Sequence, residues 1–193
     1  MGGINMHSIF RLPASEFHRY KTHLLSLDND SKLMRFGYQV KTETILELSK
    51  KWAKEPEKHV IFGIENDDLE LVGVGHICLE EQEPELAFSV LKEYQNQGMG
   101  SALMARCVEW CRNRDLKTGT MICLSTNTAI KKLASRHGIL VRDGSETLAE
   151  IKIPEANVSS IVHEIVEDNL STLSHIGKAQ RKFAKILGFP LRF

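Results

Sequence analysis

The chain has 193 residues, with 25 Lys plus Arg against 25 Asp plus Glu, so its formal charge is zero with histidine neutral. That length suits one domain with an appendage, and a domain of this size buries its core without disulfide or metal staples. Balanced charge argues against a general nucleic-acid binder, no apolar run approaches the ~20 residues of a membrane span, and the start "MGGINMHSIF" lacks a signal peptide's features, so a cytoplasmic protein with no membrane partner is expected.

In chain order, "HSIFRL" reads as a first strand, and Pro13 and Ser15 lead into a helix over "SEFHRYKTHLLSL". "DNDS" reads as a polar turn and "KLMRFGY" as a short mixed segment. A helix is predicted from Thr42 to Lys54, where Thr42 and Ile45 frame the start and Pro56 stops it. "HVIFGIE", "LVGVGHICLE" and "LAFSVL" read as three strands of a meander, separated by the turns "NDDLE" and "EQEPE". Residues 99 to 114 set Leu103, Cys107, Trp110 and Cys111 on one apolar helical face. "TMICLS" reads as a buried strand, and "NTAIKKLASRHG" as a helix capped by Asn127 and closed by Gly138. "ILVR" and "TLAEIKI", joined by "DGSE", form a hairpin.

The four cysteines, Cys78, Cys107, Cys111 and Cys123, make no CxxC pair and have no histidine at zinc-like spacing. They read as small buried hydrophobes in a reducing compartment, with no metal site. Pro154 marks a boundary, giving a domain over 1–153 and a helical extension over 154–193. In the extension Val158, Ile161, Ile165, Leu173, Ile176, Phe183 and Leu187 recur near helical periods, and Gly177 is a candidate break between two helices. Three uses stand open: packing on its own domain, a homodimer interface, or a membrane-surface helix, which the mixed charges of the polar face disfavour.

The stretch "YQNQGMGSALMARCVEW" places Gly98 and Gly100 at the mouth of a helix, where each costs up to about 1 kcal/mol relative to alanine. A strand entering a glycine turn and then a helix presents backbone N–H groups and the positive end of the helix dipole, which suit a pyrophosphate. The turn is neither the dinucleotide fingerprint nor the P-loop, since the third glycine and the Gly-Lys-Ser/Thr ending are missing.

Gln95-Asn96-Gln97-Gly98-Met99-Gly100 resembles the Q/R-x-x-G-x-G/A pattern of the GNAT superfamily of acyl-CoA-dependent N-acetyltransferases. "ELAFSVLKEY" before it and "LSTNTAIKKLASRHGI" after it are similar to that family's fourth strand, fifth strand and following helix. The element order fits over residues 8 to 153, with the specific likeness over 84 to 139, and is most similar to bacterial protein lysine acetyltransferases, whose "LMRFGY"-like segment is also present. The resemblance implies an α/β (α+β) fold: a mixed, mostly antiparallel sheet of about seven strands flanked by helices, with a C-terminal helical extension.

It also implies acetyl-CoA as cosubstrate and a set of residues that hold it: Phe88, Ser89, Val90, Gln95, Asn96, Gln97, Gly98, Met99, Gly100, Ser101 and Asn127. Strands four and five would diverge at a bulge near Ser89 and Val90, the pyrophosphate would meet the amides of Gln97 to Ser101, and the Val90 N–H would face the thioester carbonyl. Asn127 has two compatible uses, as a neighbour of the cofactor arm and as a helix N-cap.

A lysine-like amine, with a pKa near ~10, must lose a proton before it attacks. Glu85 stands where related enzymes keep a glutamate base, and Glu80, Glu81 and Glu83 compete with it. Together these carboxylates form either an acidic rim that attracts an amine or a plain polar hairpin tip. His76 either reaches the cleft or is structural. Ala134 stands where many relatives carry the tyrosine that protonates the thiolate; Ser135 and His137 are nearby, and no general acid is assigned.

The leading reading is an N-acetyltransferase that acts on a primary amine, a protein lysine or a small molecule, by direct attack in a ternary complex. A ping-pong route through Cys107, Cys111 or Cys123 is disfavoured, since all three read as core. The alternatives are a CoA-binding sensor without catalysis and an interaction module that works through its C-terminal helices. Acceptor selectivity is expected around "LMRFGY" and the loop between the last two strands.

Overall fold

Two strand segments set the architecture because they are apolar on both sides. Every residue of "HVIFGIE" and all but the last of "LVGVGHIC" are buried, so layers must cover both faces of the sheet. The computed structural model describes residues 7–79, 83–124, 126–128, 132, 140–142 and 147–187. Its strands are β1 (Ile9–Arg11), β2 (His59–Glu65), β3 (Leu71–Cys78), β4 (Glu85–Val90), β5 (Thr118–Cys123), β6 (Leu140–Arg142) and β7 (Thr147–Lys152). They form one seven-stranded sheet in the order β1-β2-β3-β4-β5-β7-β6. Every pairing is antiparallel except β4 with β5, which matches the mixed, mostly antiparallel sheet expected.

Helices α1 (Phe17–Ser26), α2 (Asn29–Phe36) and α3 (Thr42–Lys54) follow β1, and α4 (Met99–Arg112) follows β4. Tyr20, Leu24, Ile45 and Trp52 of α1 and α3 bury against Ile61 and Val74 on one face of the sheet. On the other face Leu103, Met104, Cys107 and Trp110 of α4 bury against Phe62, Leu86 and Phe88. Glycines on β3 bring α4 close: a Cβ at Gly75 would stand 2.8 Å from the Cys107 sulfur, and one at Gly73 would stand 3.3 Å from Leu103.

Two segments depart from expectation. "DNDSKLMRF" is helical, because Asp28 caps α2 by accepting from the Ser31 N–H at 2.7 Å and Gly37, at φ 79°, ends it in the left-handed conformation. The C-terminal stretch is one continuous helix, α5 (Val158–Ile186), rather than two. Gly177 weakens such a helix without breaking it. Anchors stand on either side of it: His175 bonds the Glu65 carboxylate at 2.8 Å and the Lys178 amine donates to the Glu65 carbonyl at 2.7 Å. Most of the predicted "NTAIKKLASRHG" helix lies outside the described residues, as do Ala134, Ser135, His137 and Gly138. Among the described residues no helix is long and apolar enough to cross a membrane, and no cluster of potential metal ligands occurs.

Candidate active site

The cleft begins where β4 parts from β5. The two strands share a single bridged pair, Glu85 with Thr120, at the start of β4. On its other edge β4 stays paired with β3 from Glu85–Cys78 to Val90–Gly73 with no shift of register. The bulge expected near Ser89 and Val90 is therefore absent from that ladder, and the opening comes from the divergence of β5 alone. The Leu91 N–H donates to the Val72 carbonyl at 2.9 Å, which makes Gly73 and Val90 a non-hydrogen-bonded pair. By the alternation of an antiparallel ladder, the N–H groups of Phe88 and Val90 point away from β3 into the gap. The Val90 carbonyl is held by the Gln95 side-chain amide at 3.0 Å, and that amide also reaches the Ser31 hydroxyl at 3.2 Å.

The glycine turn closes one end of the gap. Asn96 and Gly98 both have positive φ, 61° and 83°, and Gly98 is the N-cap of α4 with no side chain to cap it. The amides of Met99, Gly100 and Ser101 thus lack intrahelical partners, as in any first turn, and no side-chain cap is formed at Gly98 among the described residues. Beyond its own helix backbone, a Cβ at Gly100 would meet no atom of the described residues within 4 Å. The cleft, of about 430 Å³, is lined by ten of the expected residues: Phe88, Ser89, Val90, Gln95, Asn96, Gly98, Met99, Gly100, Ser101 and Asn127. Gln97 is the exception. Its side-chain amide donates to the Glu93 carbonyl at 3.2 Å, and its own carbonyl is 2.9 Å from the His7 imidazole. Asn127 is buried and its N–H donates to the Leu124 carbonyl at 2.8 Å.

Helix α2 supplies a wall that the sequence reading missed. Asp28, Asp30, Ser31, Met34 and Arg35 line the cleft together with Lys92 and Tyr94. Asp28 is held down to about 2 by its hydrogen bonds from Ser31, with Lys92 adding to the effect. The signals for α2 were present, since a capping Asp and a closing Gly bracket "NDSKLMRF".

Ser89 has a second partner that sequence reading also missed. His23 lies on the buried stripe of α1 with Phe17, Tyr20 and Leu24, at the helical spacing of a core face. Its Nδ1 is 2.8 Å from the Leu71 carbonyl, which only accepts, so Nδ1 carries the proton. Nε2 then accepts from the Ser89 hydroxyl at 2.9 Å. Burial pushes the His23 pKa down to about 4, the bond to Leu71 opposes that, and the Arg35 charge reinforces it. The ring is neutral at physiological pH.

Glu85 is exposed and lines a smaller pocket of about 160 Å³ beside the main cleft. Met34, Arg35 and Phe88 border both spaces. Met34 and Ile122, two of the few exposed large apolar side chains outside the C-terminal helix, flank the small pocket. Of the competing carboxylates, Glu83 accepts from the Thr118 hydroxyl at 2.7 Å, while Glu80 and Glu81 lie outside the described residues. His76 borders neither pocket. It is buried 3.4 Å from the Tyr20 hydroxyl and 3.2 Å from His59, packed edge-on to Trp52, with its pKa driven well below the usual value by burial. Cys107, Cys111 and Cys123 are buried; burial raises the Cys107 pKa well above the ordinary thiol range and that of Cys111 to about 12. Thiols so protonated are poor nucleophiles.

Comparison with known proteins bears on the fold and the family. No curated protein matches the chain by sequence. The fold is similar to the GNAT domain of S. lividans PAT, with a TM-score of 0.60 and 16% identity, over 75% of this chain and 89% of that one. It is similar to the ribosomal-protein-S18-alanine N-acetyltransferase of Escherichia coli, with a TM-score of 0.59 and 16% identity over 79% and 97% of the two chains. The PaiA N-acetyltransferase of Thermoplasma acidophilum, solved with coenzyme A, aligns with a TM-score of 0.55 and 15% identity over 75% and 99%. By sequence, residues 23–139 match the Acetyltransferase (GNAT) family. That span is more than half of the chain, and the protein belongs to the GNAT acetyltransferase family.

Proposed function

We propose that this protein transfers an acetyl group from acetyl-CoA to a primary amine, on a protein lysine or a small molecule, by direct attack in a ternary complex. The observation that carries the reading is the continuity of the gap beside β4 with the uncapped amides at the start of α4. Acetyl-CoA, when bound, supplies an acetyl group activated as a thioester. The residues fit such a carrier. Gly98 takes a left-handed turn that keeps the α4 amides open, and Gly100 leaves their surface bare, so Met99, Gly100 and Ser101 can donate to a pyrophosphate. An extended arm lying in the gap would meet the outward amides of Phe88 and Val90 as a neighbouring strand would. The Val90 N–H would donate to the carbonyl oxygen as it gains negative charge. Glu85 would take the proton of the acceptor amine, directly or through water, with the smaller pocket receiving the acceptor. The catalytic unit is residues 1–153, with 154–193 as its extension. Four free thiols suit the reducing cytoplasm as its site of action.

Melting in the presence of acetyl-CoA tests the carrier. A concentration ~100 times the dissociation constant adds about 2.7 kcal/mol to stability, and an unmoved melting temperature with every CoA species would end the reading. For the base, Glu85→Gln is expected to lower kcat at neutral pH and leave acetyl-CoA affinity unchanged. If that variant keeps the wild-type pH–rate profile, Glu85 is not the base.

A further inference from the structure

The smaller pocket holds two opposite charges that do not pair with each other. Arg35 and Glu85 both line it, and among the described residues neither forms an ion pair. Arg35 stands in the last turn of α2 and is held from two sides. Its Nη2 donates to the Tyr20 hydroxyl at 3.0 Å, and its guanidinium lies 5.0 Å from the centre of the Phe36 ring. That hold is itself fixed. A guanidinium only donates, so the Tyr20 oxygen accepts from it, and the Tyr20 hydrogen is left for His76 Nδ1, 3.4 Å away. Tyr20 and His76 are both buried, which gives the Arg35 head group a set position. Yet the head group is short of acceptors. Arg35 Nε is buried and has no hydrogen-bond partner among the described residues. A buried donor left alone is costly, and more so on a charged group. The nearest acid of the larger cleft does not serve it, since Asp28 pairs with Lys92 at 3.2 Å.

A fixed guanidinium with open donors suits a carboxylate, which can take two parallel N–H bonds. Position says which carboxylate. Arg35 borders both cavities, so it stands where an acceptor in the small pocket would meet a thioester in the large one. An anion bound there lies next to the amine that reacts. Most of the remaining wall is apolar, from Met34, Phe36, Leu86, Met121 and Ile122. At about 160 Å³ the space is well below the ~300–1,000 Å³ that a drug-sized ligand occupies.

We propose that the small pocket takes a free α-amino acid with an apolar side chain, its carboxylate on Arg35 and its amino group toward Glu85. Met34 and Met121 adapt their shape, so the side chain can be leucine-like or methionine-like. One proton of the ammonium passes to Glu85 and on to water. The nitrogen then bonds the acetyl carbon as the C–S bond breaks, and its second proton ends on the departing thiolate. A protein lysine leaves Arg35 unanswered, because its ε-amine has no carboxylate beside it. A polyamine would bring a second cation toward the guanidinium. This inference rests on the acetyltransferase reading and names its acceptor.

Leucine and methionine are compared with leucinamide and methioninamide, which keep the amine and side chain and lose the carboxylate. With labelled acetyl-CoA, kcat/KM for each acid should exceed that for its amide by at least ~100-fold. In Arg35→Gln that ratio should collapse toward one, and Arg35→Lys, which keeps the charge and loses the fork, should lie between. Calorimetry gives a readout without turnover: with coenzyme A present, leucine should bind wild type, and leucinamide should bind at least ~100-fold more weakly. The acid-to-amide comparison in wild type decides the matter even if an Arg35 variant fails to fold. Equal rates for acid and amide, an unchanged ratio in folded Arg35→Gln, or preferred acetylation of a lysine peptide overturns the proposal. Acetyl-CoA that raises the melting temperature while no amino acid is acetylated overturns it alone and leaves the carrier in place. Melting unmoved by every CoA species removes the acetyltransferase reading itself, and this inference with it.

Discussion

Helices α4 and α5 both carry long apolar stripes, yet they orient them oppositely. In α4 the stripe faces the sheet, where Gly73 and Gly75 remove the side chains that would hold a helix away, and Leu103, Met104, Cys107 and Cys111 are wholly buried. In α5 the domain offers Arg106, Asn113, Arg114 and Glu65 instead of an apolar groove, so the acids, serines and lysines turn inward and the stripe turns out. Amphipathic spacing identifies a helix with one greasy side. What lies opposite decides which way that side points. The most direct way to break the comparison is to truncate one side chain from each stripe. Leu103→Ala should cost about 2–5 kcal/mol in urea denaturation, because the site is closed on all sides and keeps a cavity. Ile165→Ala should cost within ~0.5 kcal/mol, as a surface change does. Equal losses would mean that α5 also buries its stripe within one chain.

Helix α1 offers an intermediate case, in which the buried stripe includes an ionisable group. The folded-state pKa of His23 is lowered to about 4, from an unfolded value near 6.5, chiefly by burial. Between those values the unfolded chain binds the extra proton, so stability rises with pH across the window and falls as pH drops from ~6.5 toward ~4. The loss attributable to His23 is roughly 3 kcal/mol, and buried His76 acts in the same direction. Denaturation midpoints taken from pH 7 to pH 4 should fall in wild type and fall less steeply in His23→Gln. Parallel curves would show that His23 is not the group titrating.

How much of this was legible in the sequence follows from which interactions are local. Strand segments "HVIFGIE" and "LVGVGHIC" are continuous apolar runs, and the turn at Gly98 announces itself by two glycines before an apolar helix, so sheet, turn and α4 could all be read. Helix α2 is bracketed by Asp28 and Gly37, but the polar "DNDS" reads as a turn by composition alone, and only the cap that Asp28 makes marks it as a helix start. The wall that α2 builds, and Arg35 between the two pockets, were lost with it. The His23–Ser89 bond joins residues 66 apart in the chain, and the Glu65–His175 bond joins residues 110 apart. Such pairs exist only once the sheet is assembled, and no local pattern encodes them. The same holds for His76, whose alternating strand position fits either face until Tyr20 and Trp52 close over it.

The finest test uses the two glycines at the head of α4, because there backbone rather than side chain is exposed, as apolar side chain is on α5. Gly98→Ala puts a Cβ on a residue at φ 83° and should destabilise the free protein by about 1–2 kcal/mol. Gly100→Ala differs in sign. Beyond its own helix backbone, its Cβ meets no atom of the described residues within 4 Å and the position is already helical, so the free protein should gain from a few tenths up to about 1 kcal/mol. Yet the added methyl would stand over the amides proposed to hold the pyrophosphate. Melting curves with and without coenzyme A separate the two effects: Gly100→Ala should melt slightly higher alone and show a smaller ligand-induced rise than wild type. If the rise is as large as in wild type, the bare surface at Gly100 is not the phosphate cradle, and the carrier must lie elsewhere along the gap.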